Sequence, residues 1–414
     1  MKAQLGLVAA LCLGLCAATA AAAEPQGAVA TGQYRNLFKE YLGKSDAEID
    51  AKIEAAWQQL FYGDADTQRL YYPVPGEMAY VPDINNNDVR SEGLSYGMMI
   101  AVQLDRQKEF DAIWKYAKNY MWHDAGPLRG YFTWHVGYNG QQLRGVGPAP
   151  DGEEWFVMCL FFAAHRWGNG EGIFNYEKEA QDLLHMMLHK NEQPDRGEVT
   201  NMFDPEHKQI VFTPHGQGAG FSDPSYHLPA FTELWARWAA DPADRAFLAE
   251  VTKVSREHFR KAAHPKTGLM PDYSNFDGTP RKTQWGSHHN FLYDAWRTLS
   301  NPALDWSWWR VDPWQVEQSN RVLTFLASHG AEIPDRYELD GKPIGENTNT
   351  EGFIAMAATA ALAADRKIGE PFVRRLWESK IPEGRHRYYS GLLTMIGLLE
   401  VSGKFRAYGP EARR

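Results

Sequence analysis

Apolar residues recur at helical spacing in about a dozen separate stretches of this 414-residue chain, and strand-like alternation is scarce. Ser45-Asp46-Ala47-Glu48 reads as a capping box, followed by Ile49, Ile53, Ala56, Trp57 and Leu60 at the spacing of one helix face. A second helix is expected to start near Ser91 and a third to cover residues 107–121. Asp151-Gly152-Glu153-Glu154 resembles another capped start, with Glu154 as partner to an Asp151 cap, and feeds an apolar run to Trp167. Further helical patterns fall near residues 176–189, 227–238, 243–263, 287–298, 314–329, 350–364, 372–379 and 388–402. The clearest period-two signal is a short hairpin pairing residues 198–202 with 209–213. No Pro/Ser-rich linker or shift in composition divides the chain, so one domain is expected. That many helices without a sheet must bury one another, which points to helix pairs stacked around an axis, as a solenoid or a closed toroid.

Residues 1–23 have the form of a secretory signal peptide. Lys2 precedes an apolar run from Leu5 to Ala18, and the small residues 19–23 precede Glu24-Pro25. Cleavage near Ala23 leaves residues 24–414 as the mature domain, secreted or periplasmic, with no membrane attachment. Cys12 and Cys16 lie inside the signal, so Cys159 is the single cysteine of the mature chain and reads as a small buried hydrophobe. An exported protein with one thiol forms no internal disulfide and must be held by core burial. A formal net charge of -9 argues against nucleic acid, which requires a basic face.

The aromatic content, 15 Trp, 19 Tyr and 20 Phe, exceeds what a core alone explains. Some rings fall in polar stretches, as in Gly130-Tyr131-Phe132-Thr133-Trp134-His135 and Asp305-Trp306-Ser307-Trp308-Trp309. Rings with polar rims suit sugars, which present apolar faces and hydroxyl edges.

Three carboxylates, Glu92, Asp151 and Asp294, stand in unusual settings. Glu92 follows the loop-forming Asn85-Asn86-Asn87-Asp88, where a loop turns into a helix, and has Gly93 beside it. On position alone Ser91 would cap that helix and Glu92 would complement its dipole. Such a dipole lowers the pKa of Glu92, so an acid role would need burial or a neighbouring carboxylate to raise it. Asp294 falls inside the aromatic-rich Phe291-Leu292-Tyr293-Asp294-Ala295-Trp296-Arg297, read as helix, where an aspartate is poorly suited unless it is paired or functional. Gly93-Leu94-Ser95-Tyr96-Gly97 fits G-x-S-x-G, but the buried strand that a nucleophile elbow needs is absent before it. His185 and His189 lie four apart, yet Met186 stands where a zinc hydrolase carries its glutamate, so no catalytic metal is expected.

Ser91-Glu92-Gly93-Leu94-Ser95-Tyr96-Gly97-Met98 resembles the acid-bearing motif of glycoside hydrolase family 8, and Ala149-Pro150-Asp151-Gly152-Glu153-Glu154-Trp155-Phe156 resembles its second motif. Ser222-Asp223-Pro224-Ser225-Tyr226, Tyr293-Asp294-Ala295-Trp296-Arg297 and Arg387-Tyr388-Tyr389-Ser390-Gly391-Leu392-Leu393 resemble further stretches of the family. The resemblance implies an all-α (α/α)6 toroid of six inner and six outer helices. It also implies inverting hydrolysis with Glu92 as general acid, Asp294 as general base, and Asp151 holding the sugar at the cleavage point. Tyr96, Trp134, Tyr226, Tyr293, Arg297 and Tyr389 become candidate substrate contacts, with no metal or organic cofactor. The wording of the second motif, with His165-Arg166-Trp167-Gly168, is most similar to xylan-directed members that release xylose from the reducing end. The implied partner is a xylo-oligosaccharide or xylan, met by a monomer. Those exo-acting members are expected to carry a histidine on a loop closing the cleft. The loop Lys342-Pro343-Ile344-Gly345-Glu346-Asn347-Thr348-Asn349-Thr350 has none, which leaves an endo-acting xylanase open.

Overall fold

The computed structural model describes residues 26–143 and 146–410. The expected signal peptide, with Cys12 and Cys16, lies outside the described residues. Two short helices, α1 (Ala28–Thr31) and α2 (Leu37–Leu42), precede twelve longer ones. These are α3 (Asp46–Tyr62), α4 (Ser91–Gln103), α5 (Gln107–Tyr120), α6 (Pro150–Trp167), α7 (Tyr176–His189), α8 (Pro229–Trp238) and α9 (Pro242–Ala262). They continue as α10 (Arg297–Trp309), α11 (Trp314–Ala327), α12 (Glu351–Ala360), α13 (Arg366–Glu378) and α14 (Arg387–Val401).

The burial of each helix sorts it into one of two layers. Every residue of α4 is buried except Glu92, and every residue of α14 except Tyr389. In α6 only Arg166 and Trp167 escape burial. Helices apolar on all sides belong inside a core. By contrast, α13 buries Gly369, Phe372, Val373 and Leu376, one stripe of an otherwise charged helix. The even-numbered helices α4 to α14 form the inner ring, and each packs against one outer helix. The pairs are α4 with α5, α6 with α7, α8 with α9, α10 with α11, α12 with α13, and α14 with α3. Around the ring α14 meets α4, α4 meets α6, and α8, α10, α12 and α14 pack in turn. Trp155 of α6 meets Phe231 of α8 edge-on at 5.2 Å. The architecture is the (α/α)6 toroid.

Short strands decorate one end of the ring. β1 (Tyr72–Val74) pairs with β2 (Met78–Tyr80), and β3 (Pro82–Asp83), β4 (Asp88–Arg90) and β5 (His135–Gly137) form a three-stranded antiparallel sheet. Its register sets Arg90 opposite His135 immediately before α4 begins. β6 (Phe203–Asp204) pairs with β7 (Gln209–Ile210).

Several sequence expectations are corrected here. The hairpin exists, but its first strand is β6 rather than residues 198–202, because Asp204 accepts backbone bonds from Glu206 and His207 and so sets the turn. α13 begins at Arg366, since Pro371 is accommodated inside the helix instead of ending it. Asp294 is not inside a helix. Residues Asp294–Trp296 form a 3-10 turn, and α10 starts only at Arg297. Ser91 is no cap: Arg90 holds that position, while Ser91 is buried and donates from both its N–H and its hydroxyl to the Trp134 carbonyl. Asp151 is likewise inside the first turn of α6, with Ala149 at the cap position, and Glu154 does not pair with it.

One interior carboxyl makes this core sensitive to pH. Glu400 of α14 is buried, accepts a bond from the Thr359 hydroxyl at 2.8 Å, and has its pKa pushed by burial to about 8. Its folded pKa lies above the unfolded value, so its contribution to stability is full below about pH 4.5 and is lost as pH rises to about 8. The slope is about 1.4 kcal/mol per pH unit. Glu400→Gln is therefore expected to lose less stability than the wild type between pH 5 and 8. Denaturant melts at both pH values check this, and parallel losses in the two proteins would refute it.

Candidate active site

Arg297, the first residue of α10, is buried and reaches all three singled-out carboxylates. Its Nη1 donates to Glu92 Oε2 at 3.3 Å, to Asp151 Oδ2 at 3.5 Å and to the Tyr96 hydroxyl at 2.9 Å. Its Nη2 pairs with Asp294 Oδ1 at 3.3 Å. Glu92 and Asp294 thus sit at different nitrogens of one guanidinium. Two 3.3 Å contacts and the width of that group keep the two acids no farther apart than the upper end of the about 6.5–9.5 Å range of inverting carboxylate pairs.

The three carboxylates differ in setting. Glu92 also accepts from the Tyr388 hydroxyl at Oε1, 3.0 Å away. Burial first, then the Asp151 and Asp294 charges, push its pKa up to about 7 against the pull of Arg297 and Arg90. A carboxylic acid in that state keeps its proton near neutral pH and can donate it. Asp151 is raised too, by burial and by Asp294, against Arg297, and its Oδ1 accepts from the Gly152 N–H at 2.9 Å. Asp294 is the most open of the three, with 31% of its side chain exposed, where a water molecule can reach it.

Glu92 and Asp294 face an open cleft of about 380 Å³, lined by Asp83, Arg90, Tyr293, Tyr388 and Tyr389 among others, while Asp151 is buried behind its lining. This lies within the size range of small-ligand sites, about 300–1,000 Å³. Tyr293 is 46% exposed. The Tyr389 hydroxyl donates to the Tyr293 carbonyl at 3.1 Å, and both rings pack against Trp296. Trp134 is partly exposed, stacks on His135 at 3.7 Å, and lies beside the Arg90 guanidinium.

Two of the expected sugar contacts, Tyr96 and Tyr226, are buried against Arg297. Tyr96 is fully buried in α4, meets Trp155 edge-on and accepts from Arg297, so it supports the guanidinium from behind. Tyr226 is 5% exposed with its ring 5.4 Å from the Arg297 charge, again a support. The polar Trp306–Trp309 stretch forms the end of α10, with Trp308 buried and Trp309 donating to the Ala230 carbonyl. Ser95 is buried inside α4 and its hydroxyl donates to the Glu92 carbonyl, so the G-x-S-x-G match is no nucleophile elbow.

Sequence reasoning missed Tyr388, although it lies inside a quoted motif. It also missed Asp272 and His288, which meet at 2.8 Å in the cleft wall. Asp272 Oδ1 accepts the N–H groups of Leu292 and Ala295, which fixes the turn carrying Asp294. Burial and Asp294 push Asp272 up to about 6, against the bond from His288. The only signal for this pair was the adjacent His288-His289 in the sequence. Among the described residues one group of metal-type ligands does come together, His185, His189 and Asp244, on α7 and α9 away from the cleft lining.

A helical toroid with carboxylates spread across an open cleft defines a glycoside-cleaving enzyme class. The chain belongs to glycosyl hydrolases family 8, whose model matches residues 81–403. It is 46% identical to the reducing-end xylose-releasing exo-oligoxylanase Rex8A of Paenibacillus barcinonensis, over 92% of this chain and 99% of that protein. It is 41% identical to a reducing end xylose-releasing exo-oligoxylanase of Halalkalibacterium halodurans, over 94% and 98% respectively. Among solved structures, a xylohexaose complex of a family 8 xylanase catalytic mutant from Teredinibacter turnerae superposes with a TM-score of 0.88. That protein is 48% identical, and the match covers 93% of this chain and all of its own.

The charge balance around Glu92 predicts a pH effect. An acid must be protonated, so activity falls as pH rises through its pKa. Asp151→Asn removes a charge that raises that pKa and should move the alkaline limb of kcat/KM toward lower pH. An unmoved or alkaline-shifted limb would separate Asp151 from the tuning of Glu92.

Proposed function

We propose that this enzyme hydrolyses β-1,4-xylosidic bonds in xylo-oligosaccharides with inversion, releasing xylose from the reducing end. The observation that carries this reading is the shared guanidinium, with a proton-holding Glu92 on one nitrogen and an open Asp294 on the other. Glu92 protonates the leaving glycosidic oxygen. Asp294 takes a proton from a water on the opposite face of the ring, and that water attacks the anomeric carbon in the same step. Asp151, held by Arg297 and the Gly152 N–H, binds the sugar at the cleavage point. Tyr293 and Tyr389, both in the cleft lining, present ring faces to the flanking sugars. The relatives named for releasing xylose, each matched over nearly its whole length, support the substrate class. Export to the periplasm or medium, as a monomer after removal of residues 1–23, belongs to the same proposal.

A second reading, endo-cleavage of xylan, is favoured by one feature. The segment from Pro334 to Thr348 folds back on itself, with Ile344 N–H bonded to the Arg336 carbonyl, and its outer part carries no histidine to meet a reducing end. Products from xylotriose, xylohexaose and polymeric xylan separate the two. Stepwise xylose release from short chains supports the exo reading, and a rapid fall in xylan viscosity supports the endo reading.

NMR of fresh product should show the α-anomer first; the β-anomer would overturn inversion. Glu92→Gln and Asp294→Asn should each lower kcat by at least ~10²-fold with the fold intact. Near-normal turnover in either variant would remove that residue from its role.

A further inference from the structure

On the outer layer, away from the cleft, two histidines and a carboxylate converge between neighbouring helix pairs. His185 and His189 stand one turn apart at the end of α7, and Asp244 lies in the first turn of α9. Their ligand atoms all fall within 4.8 Å of one another. His189 Nε2 meets Asp244 Oδ1 at 2.7 Å, and His185 Nδ1 is 4.0 Å from Asp244 Oδ2. The two imidazoles stack with centroids 4.4 Å apart.

A hydrogen-bonded His–Asp pair accounts for His189 but not for His185. His185 is 54% exposed on its side chain and stands beyond hydrogen-bond reach of Asp244, yet it faces the same carboxylate. The second independent feature is Glu192. Its Oε1 lies 2.7 Å from His189 Nδ1, so the imidazole is held between two carboxylates. A carboxylate on the far nitrogen fixes the tautomer and orientation of a metal-bound histidine and raises its basicity. The frame around the site is braced as well: Gln181 of α7 donates to the Trp238 carbonyl and accepts from the Ala240 N–H, pinning α7 to the turn before α9.

We infer that His185, His189 and Asp244 form a site for a divalent transition ion of the zinc class, with Glu192 orienting His189. Two imidazoles and one carboxylate are a recurrent zinc donor set, with bonds of about 2.0–2.2 Å and a further position for water. Binding requires the His189–Asp244 hydrogen bond to open by a fraction of an ångström and the exposed His185 ring to turn inward. Nε2 of His189 then becomes a ligand, its Nδ1–H donates to Glu192, and any proton displaced from Nε2 leaves to solvent. The Asp244 and Glu192 charges match the dication. The ion would clip the α6/α7 pair to the α8/α9 pair, and so would stabilise the outer wall rather than take part in glycoside cleavage.

Titration calorimetry of the chelator-treated full chain with zinc chloride should show one tight equivalent. Melting temperature should rise with zinc. His185→Ala leaves the His189–Asp244 bond in place and should fold and hydrolyse xylohexaose as the wild type does. It should bind zinc at least tenfold more weakly and lose the thermal shift. Glu192→Gln should weaken binding about tenfold, the usual size of an outer-shell effect. Unchanged zinc affinity in His185→Ala, or no stoichiometric binding in the wild type, would overturn the site.

Discussion

One buried guanidinium among three carboxylates determines what the cleft can do. Arg297 carries a single fixed positive charge, and Glu92, Asp151 and Asp294 surround it. With one cation for three acids in a buried setting, full ionisation leaves two negative charges uncompensated at short range. Such a cluster keeps a proton. Glu92, walled in by α4 and α14, has its pKa pushed up to about 7, while Asp294 is open to the cleft. Tyr96, Tyr226 and Tyr389 surround the arginine with rings and a hydroxyl, so it has little freedom to follow one carboxylate away from the others.

The toroid supplies this arrangement because the main groups sit at the starts of inner helices, with Asp294 in the turn leading into α10. Glu92 opens α4, Asp151 opens α6, Arg297 opens α10, and Tyr388 and Tyr389 open α14. Helices packed side by side in one ring bring these ends to one face. A helix N-terminus favours the ionised acid by about 0.3–1 kcal/mol. The rise of Glu92 from 4.5 to about 7 corresponds to a net preference of roughly 3 kcal/mol for the protonated form. Desolvation and like charge therefore outweigh the dipole. A surface glutamate at the same helix position would be a stronger acid and a poorer proton donor at neutral pH.

The sequence made the helix count and the three carboxylates legible, because both are local signals: periodicity for the first, and for the second acids flanked by glycine or proline at Glu92 and Asp151 and by aromatic residues at Asp294. It misplaced what depends on neighbours distant along the chain. Ser91 looks like a cap until β5 brings the Trp134 carbonyl to it. Asp294 looks helical until Asp272, 22 residues earlier, takes the N–H groups of Leu292 and Ala295 and sets a turn there. Tyr96 shares the apparent exposure of Glu92 four residues before it, but it faces the ring interior. The aromatic residues divide in the same way. Tyr131 and Phe132 enter the core and Trp134 stays open, a distinction that composition does not carry.

The glycines beside the two motif acids complete the account, since they decide how closely the inner helices approach. A methyl group on Gly93 would lie 2.4 Å from the Tyr388 ring, and one on Gly152 would lie 2.4 Å from the Ser91 hydroxyl. Both helices carry ordinary backbone angles there, so the requirement is one of space rather than conformation. Without Gly93, α14 could not bring the Tyr388 hydroxyl onto Glu92, because the ring occupies the volume a side chain would need. Without Gly152, α6 could not seat Asp151 against the start of α4, where Arg297 reaches both acids. The adjacency of acid and glycine in each motif is thus a single device: one residue supplies the charge, and the next lets another helix come near enough to control it.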